Sequence, residues 1–304
     1  LRVGVIGTGA MGRNHARVYA SLAERCRFVG VYDMDAERAA AVAAQFGGAA
    51  FRTLPELLAQ VDAVSVAVPT PAHYRVGMAC VRRNVHVLME KPITETVGQA
   101  KALIELARTN GVVLQTGHIE LFNPTVQALR ELLADEEIVG MELQRLRPLE
   151  PRMARSDVVS DAMIHDIYIV HHLLGKRIRH LYAAGRREDR YTQHASALLR
   201  LEDGAVVQMT ASYLTDEKVR TIRVVTKRSV IAADLLTQRI RSSSLSEPGE
   251  TRWIDVPDGE PLRLELLHFL EAVDRRRSPD VTGEDGLDAL ALANRIIRKV
   301  SVSS

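Results

Sequence analysis

The segment Gly7-Thr8-Gly9-Ala10-Met11-Gly12 constrains the fold of this chain more than any other. It stands between a short apolar run, Arg2 to Ile6, and Met11 to Ala23, whose apolar residues have helical spacing. Between a strand and a helix each glycine has a use: a tight turn, close approach to a pyrophosphate, and close helix packing. The start of the following helix offers free N–H groups and a positive dipole end to phosphate. Asp33 ends a second strand, Phe28 to Tyr32. It lies about 20 residues past the last glycine, where an acid binds a ribose 2′-hydroxyl. The spacing therefore predicts a dinucleotide site built from Gly7, Thr8, Gly9, Ala10, Met11, Gly12 and Asp33. The other role open to Asp33, a helix cap, can be filled by Asp35. An acid at position 33 with no arginine directly after it favours NAD over NADP, and Arg13 and Arg38 remain within reach of a phosphate.

Strand-like and helical runs continue to alternate up to about Gly117. Ala63 to Val68 is a strand stopped by Pro69-Thr70-Pro71, and a helix from about His73 to Arg83 leads to the strand Val85 to Met89. Thr96 to Thr109 is a helix closed by Asn110-Gly111, and Val112 to Thr116 is a further strand. Such interleaving implies βαβ units and a parallel sheet. Afterwards the pattern changes. Asn123-Pro124 starts a helix, Ile138 to Leu146 reads as a strand, and Ser160 to Leu174 is helical as far as Gly175. Ala195 to Leu201 and Ala205 to Tyr213 flank Glu202-Asp203-Gly204, a hairpin signal. The expectation is an α/β chain: a parallel sheet in 1–118, then an α+β domain in 119–304 with a large, mostly antiparallel sheet. Two amphipathic helices, Leu262 to Val273 and Glu284 to Val300, close the chain, and Arg241-Ser242-Ser243-Ser244 reads as a polar loop.

The totals narrow the function. The chain has 304 residues, which suggests two domains, and a formal net charge of +2, which gives no reason to expect a nucleic-acid partner. No apolar run approaches the roughly 18 residues of a membrane span. Two cysteines, Cys26 and Cys80, form no disulfide framework and fit a reducing compartment. With no signal peptide visible at the first residues, the expected location is the cytoplasm.

Two further signals carry chemistry. Glu90-Lys91-Pro92 ends the apolar strand that begins at Val85. Ligands of open α/β sheets bind at the carboxyl ends of the strands, so Lys91 is aimed at the cofactor site. Asp161 and His165, spaced i, i+4, share a helix face. An Asp beside a His can orient and tune the imidazole for general acid/base work. The same pair also fits an ordinary surface pair, or an acid placed for the helix dipole. His171 and His172 read as core or surface histidines, because neither H-E-x-x-H nor a Cys/His cluster accompanies them. Arg145, Arg147, Arg152 and Arg155 precede this helix; they suit diphosphate recognition and equally fit a solvated basic loop.

Taken together, the glycine loop, Glu90-Lys91-Pro92, Asp161 four residues before His165, and the late segments Pro261 to Phe269 and Gly283 to Gly286 resemble the Gfo/Idh/MocA family of NAD(P)-dependent sugar and cyclitol oxidoreductases. The resemblance spans essentially the whole chain. It implies an N-terminal Rossmann domain, final helices that pack back toward it, and an open C-terminal sheet that forms a homodimer or homotetramer. It implies roles for Lys91, Asp161 and His165 in catalysis: Lys91 binds the reacting hydroxyl, His165 accepts its proton and Asp161 positions both. With the resemblance the cofactor set extends to Pro69, Thr70, His73, Glu90 and Lys91. The substrate set comprises Lys91, Asn123, Arg152, Arg155, Asp161 and His165, with no metal. Gly117 to Pro124 is most similar to family members that oxidise the 3-hydroxyl of UDP-N-acetylglucosamine. Leu121 departs from the arginine usual there, and Tyr168 from a common acid. The expected activity is hydride transfer from a secondary hydroxyl of a nucleotide-activated amino sugar to NAD. An inositol or free-sugar dehydrogenase, an NAD-dependent glycosidase and a non-catalytic NAD(H)-responsive binding protein are the alternatives.

Overall fold

Short β-branched runs separated by alanine-rich helical segments set the architecture of the first half. A computed structural model describes residues 1–150, 156–247 and 249–302. The chain divides into two units, 1–119 with 262–290, and 120–261 with 291–304.

The first unit starts with β1 (Arg2–Ile6), α1 (Ala10–Ala20), β2 (Arg27–Tyr32) and α2 (Ala36–Phe46). Asp35 caps α2 by accepting a hydrogen bond from the Arg38 N–H. Then follow β3 (Ala49–Ala50), α3 (Leu54–Leu58), β4 (Ala63–Val66), α4 (Thr70–Val81), β5 (His86–Glu90), α5 (Val97–Asn110) and β6 (Leu114–Gly117). Thr96 and Gln99 form a capping box at the start of α5, and Gly111 ends it with φ +63°. All strand pairs are parallel, in the order β3-β2-β1-β4-β5-β6. The order reverses between β1 and β4, and the crevice beyond their carboxyl ends is where such sheets bind ligands. β4 is wholly buried, as a strand covered on both faces must be.

The second unit contains a 3₁₀ turn (Ile119–Phe122), α6 (Pro124–Leu133), β7 (Ile138–Leu146), a π-helical turn (Val159–Met163) and α7 (Ile164–Leu174). β8 (Ile178–Glu188), β9 (Tyr191–Leu201), β10 (Val206–Ser212), β11 (Val219–Thr226), β12 (Ser229–Asp234), β13 (Arg239–Ser244) and β14 (Thr251–Ile254) follow. They form one eight-stranded sheet in the order β14-β13-β12-β11-β7-β10-β9-β8. Every pair is antiparallel except β7 with β10. The Glu202-Asp203-Gly204 turn joins β9 to β10 as the hairpin signal predicts. Burial alternates along β7, with Met141, Leu143 and Arg145 inward, and α7 and α6 pack over the sheet at β10 and β12.

Arg241 to Ser244 corrects the sequence reading: it is not a loop but part of β13, paired on both sides. Ser243 meets Thr251 across the β13–β14 ladder through a 3.0 Å hydroxyl contact. Ladder pairing overrides the weak strand preference of serine. Among the described residues the last segments are helical: α8 (Pro261–Asp274) and α9 (Gly283–Val302). α8 contributes Leu262, Leu266 and Phe269 to a core shared with Val3, Val18 and Tyr19 of the first unit.

Candidate active site

The glycine loop follows β1 directly. Gly7 sits at φ +89°, and a Cβ there would stand 2.7 Å from the Ala67 carbonyl oxygen. At Gly12 a Cβ would lie 1.8 Å from the Gly7 oxygen, so only glycine lets α1 approach the turn. Gly9 instead faces open space, and it caps α1 without a side-chain bond or an acid in the first turn. The first N–H groups of α1 are therefore left for an anion. A cavity of about 850 Å³ opens here, lined by Gly7, Gly9, Met11, Asp33, Arg38 and Pro69 among others. Asp33 Oδ2 accepts from the Thr8 N–H (2.6 Å) and hydroxyl (2.9 Å), and Oδ1 accepts from the Asp35 N–H (2.9 Å). Burial works to raise its pKa, but these bonds and Arg38 hold it below the ordinary value. Asp33 is thus an anchored anion on the cavity wall. The open Gly9, the free helix start and this acid together fit a dinucleotide. Ala10 and Thr70 open α1 and α4, which flank that wall.

Lys91 directly follows β5, at the carboxyl edge of the same sheet. Its backbone N–H lies 3.2 Å from Glu90 Oε2, and Glu90 Oε1 lies 3.0 Å from His15 Nε2 on α1. Burial would raise the Glu90 pKa, but His15 and then Lys91 hold it down. Glu90 is therefore a buried carboxylate between an imidazole and an ammonium. His118 is buried on the other strand edge; burial and then the Lys91 charge push its pKa down to about 3, leaving a neutral ring. His73 Nε2 lies 2.8 Å from the Val68 carbonyl, and Nδ1 lies 2.8 Å from that of Pro92. It ties the turn after β4 to the turn that carries Lys91. His73 thus braces the turns after β4 and β5, and Glu90 ties the end of β5 to α1. His15 and His118 were not singled out by the motifs; their position beside Glu90 and Lys91 is visible only in three dimensions.

Asp161 lies in the π-helical turn and His165 in the first turn of α7. Such turns are rare and cluster at functional sites. Asp157 begins this one: its carboxylate accepts from the Val159 N–H (2.9 Å) and from the Thr192 N–H on β9 (3.0 Å). The Tyr213 hydroxyl donates to Asp161 Oδ2 at 2.7 Å. Burial and the Asp161 carboxylate raise the Tyr213 pKa, so the phenol stays a donor. Tyr213, just past the hairpin strand β10, is a further residue at the candidate site that sequence motifs did not single out.

Arg145 has a different job from the one its cluster suggested. It is buried, with Nε 2.9 Å from Asp166 Oδ1 and Nη1 2.7 Å from Glu120 Oε1. Arg220, its direct cross-strand neighbour on β11, reaches the same Glu120 oxygen at 3.2 Å. Burial alone would lower the Arg145 pKa, but Asp166 and Glu120 raise it. Glu120 is held below its ordinary value by both guanidiniums, against burial. Asp166 moves the other way, because burial outweighs Arg145 and its second oxygen has no hydrogen-bond partner among the described residues. This cluster fastens the start of α7 to the sheet. Arg147 pairs with Glu150 at 2.6 Å. Arg152 and Arg155 lie outside the described residues.

Asn123 is buried and committed to the scaffold: its Oδ1 caps α6 at the Thr125 N–H (3.0 Å), and its Nδ2 donates to Glu120 (3.4 Å). Leu121 and Tyr168 are core residues, so neither substitution alters an exposed surface. Tyr168 packs near His171, with ring centroids 6.3 Å apart.

Comparison with known proteins identifies the family. Residues 1–118 match the model of an oxidoreductase family with an NAD-binding Rossmann fold, and residues 126–232 match the Gfo/Idh/MocA C-terminal domain. A UDP-N-acetylglucosamine 3-dehydrogenase from Acidithiobacillus ferrooxidans is 33% identical over 97% of this chain and 96% of its own length. Its solved structure superimposes with a TM-score of 0.93, covering 100% of this chain and 98% of that one. An inositol 2-dehydrogenase 2 from Paenarthrobacter aurescens is 29% identical over 99% of this chain and 96% of its own length. The chain belongs to the Gfo/Idh/MocA family of oxidoreductases, and its first unit is an NAD-binding Rossmann domain.

Proposed function

We propose that this dehydrogenase oxidises the 3-hydroxyl of a nucleotide-activated amino sugar such as UDP-N-acetylglucosamine. The observation that carries the reading is the similarity to a UDP-N-acetylglucosamine 3-dehydrogenase along nearly the full chain. Bound NAD supplies the hydride acceptor. Gly7 to Gly12 hold its pyrophosphate at the start of α1, and the anchored Asp33 carboxylate favours a free 2′-hydroxyl over a phosphate. Lys91 donates a hydrogen bond to the reacting hydroxyl and stabilises negative charge growing on its oxygen. His165 accepts the hydroxyl proton. Asp161, steadied by Tyr213, orients substrate and imidazole. Neutral His118 adds no competing positive charge beside Lys91. Arg152 and Arg155 are assigned to the diphosphate.

The full-length similarity to an inositol 2-dehydrogenase 2 favours a cyclitol as the second reading. A second copy of the chain is the expected partner. One row on a face of the large sheet runs in register from Tyr182 through Leu198 to Trp253, and both terminal aromatics are 65% exposed. The experiment is a panel of UDP-sugars, free sugars and inositols mixed with NAD, followed at the NADH absorbance band. Turnover should be greatest with UDP-N-acetylglucosamine and fall about 100- to 1,000-fold in Lys91→Ala, as expected for losing an electrostatic stabiliser. Preference for inositol would replace the substrate, and wild-type turnover in Lys91→Ala would overturn the assigned chemistry.

A further inference from the structure

Glu265 stands out as an acid the reaction does not use. It lies on the apolar face of α8, one turn from both Leu262 and Phe269, and is completely buried. Among the described residues neither carboxyl oxygen has a hydrogen-bond partner and no cation pairs with it. An isolated buried carboxylate is too costly to sustain, so such a group stays protonated. The charge that acts on it is a like charge, Glu90.

The neighbours of this spot divide unequally between the two acids. On α1, His15 bonds Glu90 at 3.0 Å, while Tyr19 feels Glu265 but spends its hydroxyl on Ser65 of β4 at 2.9 Å. After β5, Lys91 attracts Glu90 and depresses the neighbouring His118. On α8 itself, His268 lies 3.3 Å from Gln115 and 3.1 Å from Asp280. Among the described residues, the groups of opposite charge at this spot, His15 and Lys91, thus serve Glu90. When two carboxyls share a dry site, one keeps its proton, and here the unsupported one is Glu265. Burial first, and Glu90 second, push its pKa well above the ordinary 4.5.

We propose that Glu265 is a positioning residue for Lys91, acting through Glu90. As a neutral acid it leaves the negative charge of this spot on Glu90. Once ionised it repels Glu90, whose carboxylate lies 3.2 Å from the Lys91 N–H, and so disturbs the turn that carries Lys91. The inference rests on the role given to Lys91 above.

Infrared spectroscopy of the full chain in D₂O reads the proton directly. At pH 7 the wild type should show the C=O stretch of a protonated carboxylic acid, and Glu265→Gln should lack it. Glu90→Gln gives a second handle: the band should titrate at lower pH there, because the repelling charge is gone. The kcat/KM for NAD is followed in parallel. Wild-type activity should fall over the range in which the band disappears, and Glu265→Gln should hold its activity to higher pH. At the midpoint of the band the variant should exceed the wild type by about twofold, after each is scaled to its own plateau. Absence of the band, its survival in Glu265→Gln, or superimposable pH profiles would overturn the proposal. Lys91→Ala separates the two readings. If it stays active while the band is present, the role of Lys91 fails; if it is inactive while the profiles superimpose, only the role of Glu265 fails.

Discussion

Each unit buries a cluster of charged side chains, and the two clusters are built on opposite plans. In the second unit Arg145 holds Glu120 and Asp166, and Arg220 adds a second cation to Glu120. In the first unit Glu90 has His15 and Lys91, whereas Glu265 has no hydrogen-bond or charge partner of opposite sign among the described residues. Buried ion pairs survive when geometry and hydrogen bonds offset desolvation. A compensated cluster of that kind serves as scaffold. An uncompensated acid such as Glu265 instead has its pKa raised by burial and by Glu90, which is the basis of the positioning role proposed above. The difference teaches where to look for function: not at the number of buried charges, but at those left without a counterpart.

The sharpest way to break this contrast is Arg145→Ala. It strands the buried Asp166 and leaves Glu120 with Arg220, and removing one partner of a buried pair costs about 3–5 kcal/mol. Chemical denaturation should record a loss of that size. A change below about 0.5 kcal/mol, the scale of an ordinary surface substitution, would mean that the cluster is not structural.

Much of the first unit was legible because its constraints are local. Only glycine fits at Gly7 and Gly12, and Asp33 must end a strand to reach the same turn. The i, i+4 spacing of Asp161 and His165 was visible as well. The π-helical turn beneath Asp161 was not, since Thr192 on β9 and Tyr213 after β10 stabilise it from far along the chain. The arginine cluster reads equally as a diphosphate site or a solvated basic loop, whereas Arg145 is buried against two acids. Its period-two register with Met141 and Leu143 already marked it as inward, but its two acids come from elements 21 and 25 residues away. Glu265 carried a comparable signal, being flanked on its helix face by Leu262 and Phe269. What no pattern could supply was which strand or helix would face these inward charges.

Tyr213→Phe tests how order in the second unit reaches Asp161. The phenol makes one 2.7 Å bond to this carboxylate. A hydrogen bond to a charged group contributes about 1.5–3 kcal/mol, so kcat/KM should drop roughly 10- to 100-fold. The packing of the ring is unchanged, and binding of NAD to the first unit should be unaffected. Equal losses in NAD affinity and in turnover would mean that Tyr213 acts on the fold and not on Asp161.

Glu265→Gln sharpens the comparison at the level of stability. Glu265 has a raised pKa in the fold, so on raising pH through 4.5 the unfolded chain loses this proton first. The native state then binds more protons than the unfolded state, and unfolding free energy falls as pH rises. The slope is about 1.4 kcal/mol per pH unit until the folded group also ionises. Glutamine cannot ionise, so the variant escapes this loss. The stability difference between variant and wild type should therefore be flat below pH 4.5 and grow in favour of the variant above it. Denaturant midpoints between pH 4 and pH 7 would record that divergence. Glu120 has the opposite sign: its pKa is lowered by Arg145 and Arg220, so its contribution is present above the ordinary carboxyl range and fades as pH falls through the depressed value. A wild type that gains no stability from Glu265→Gln above pH 4.5 would place a proton donor or cation beside Glu265, and the two clusters would then follow one plan.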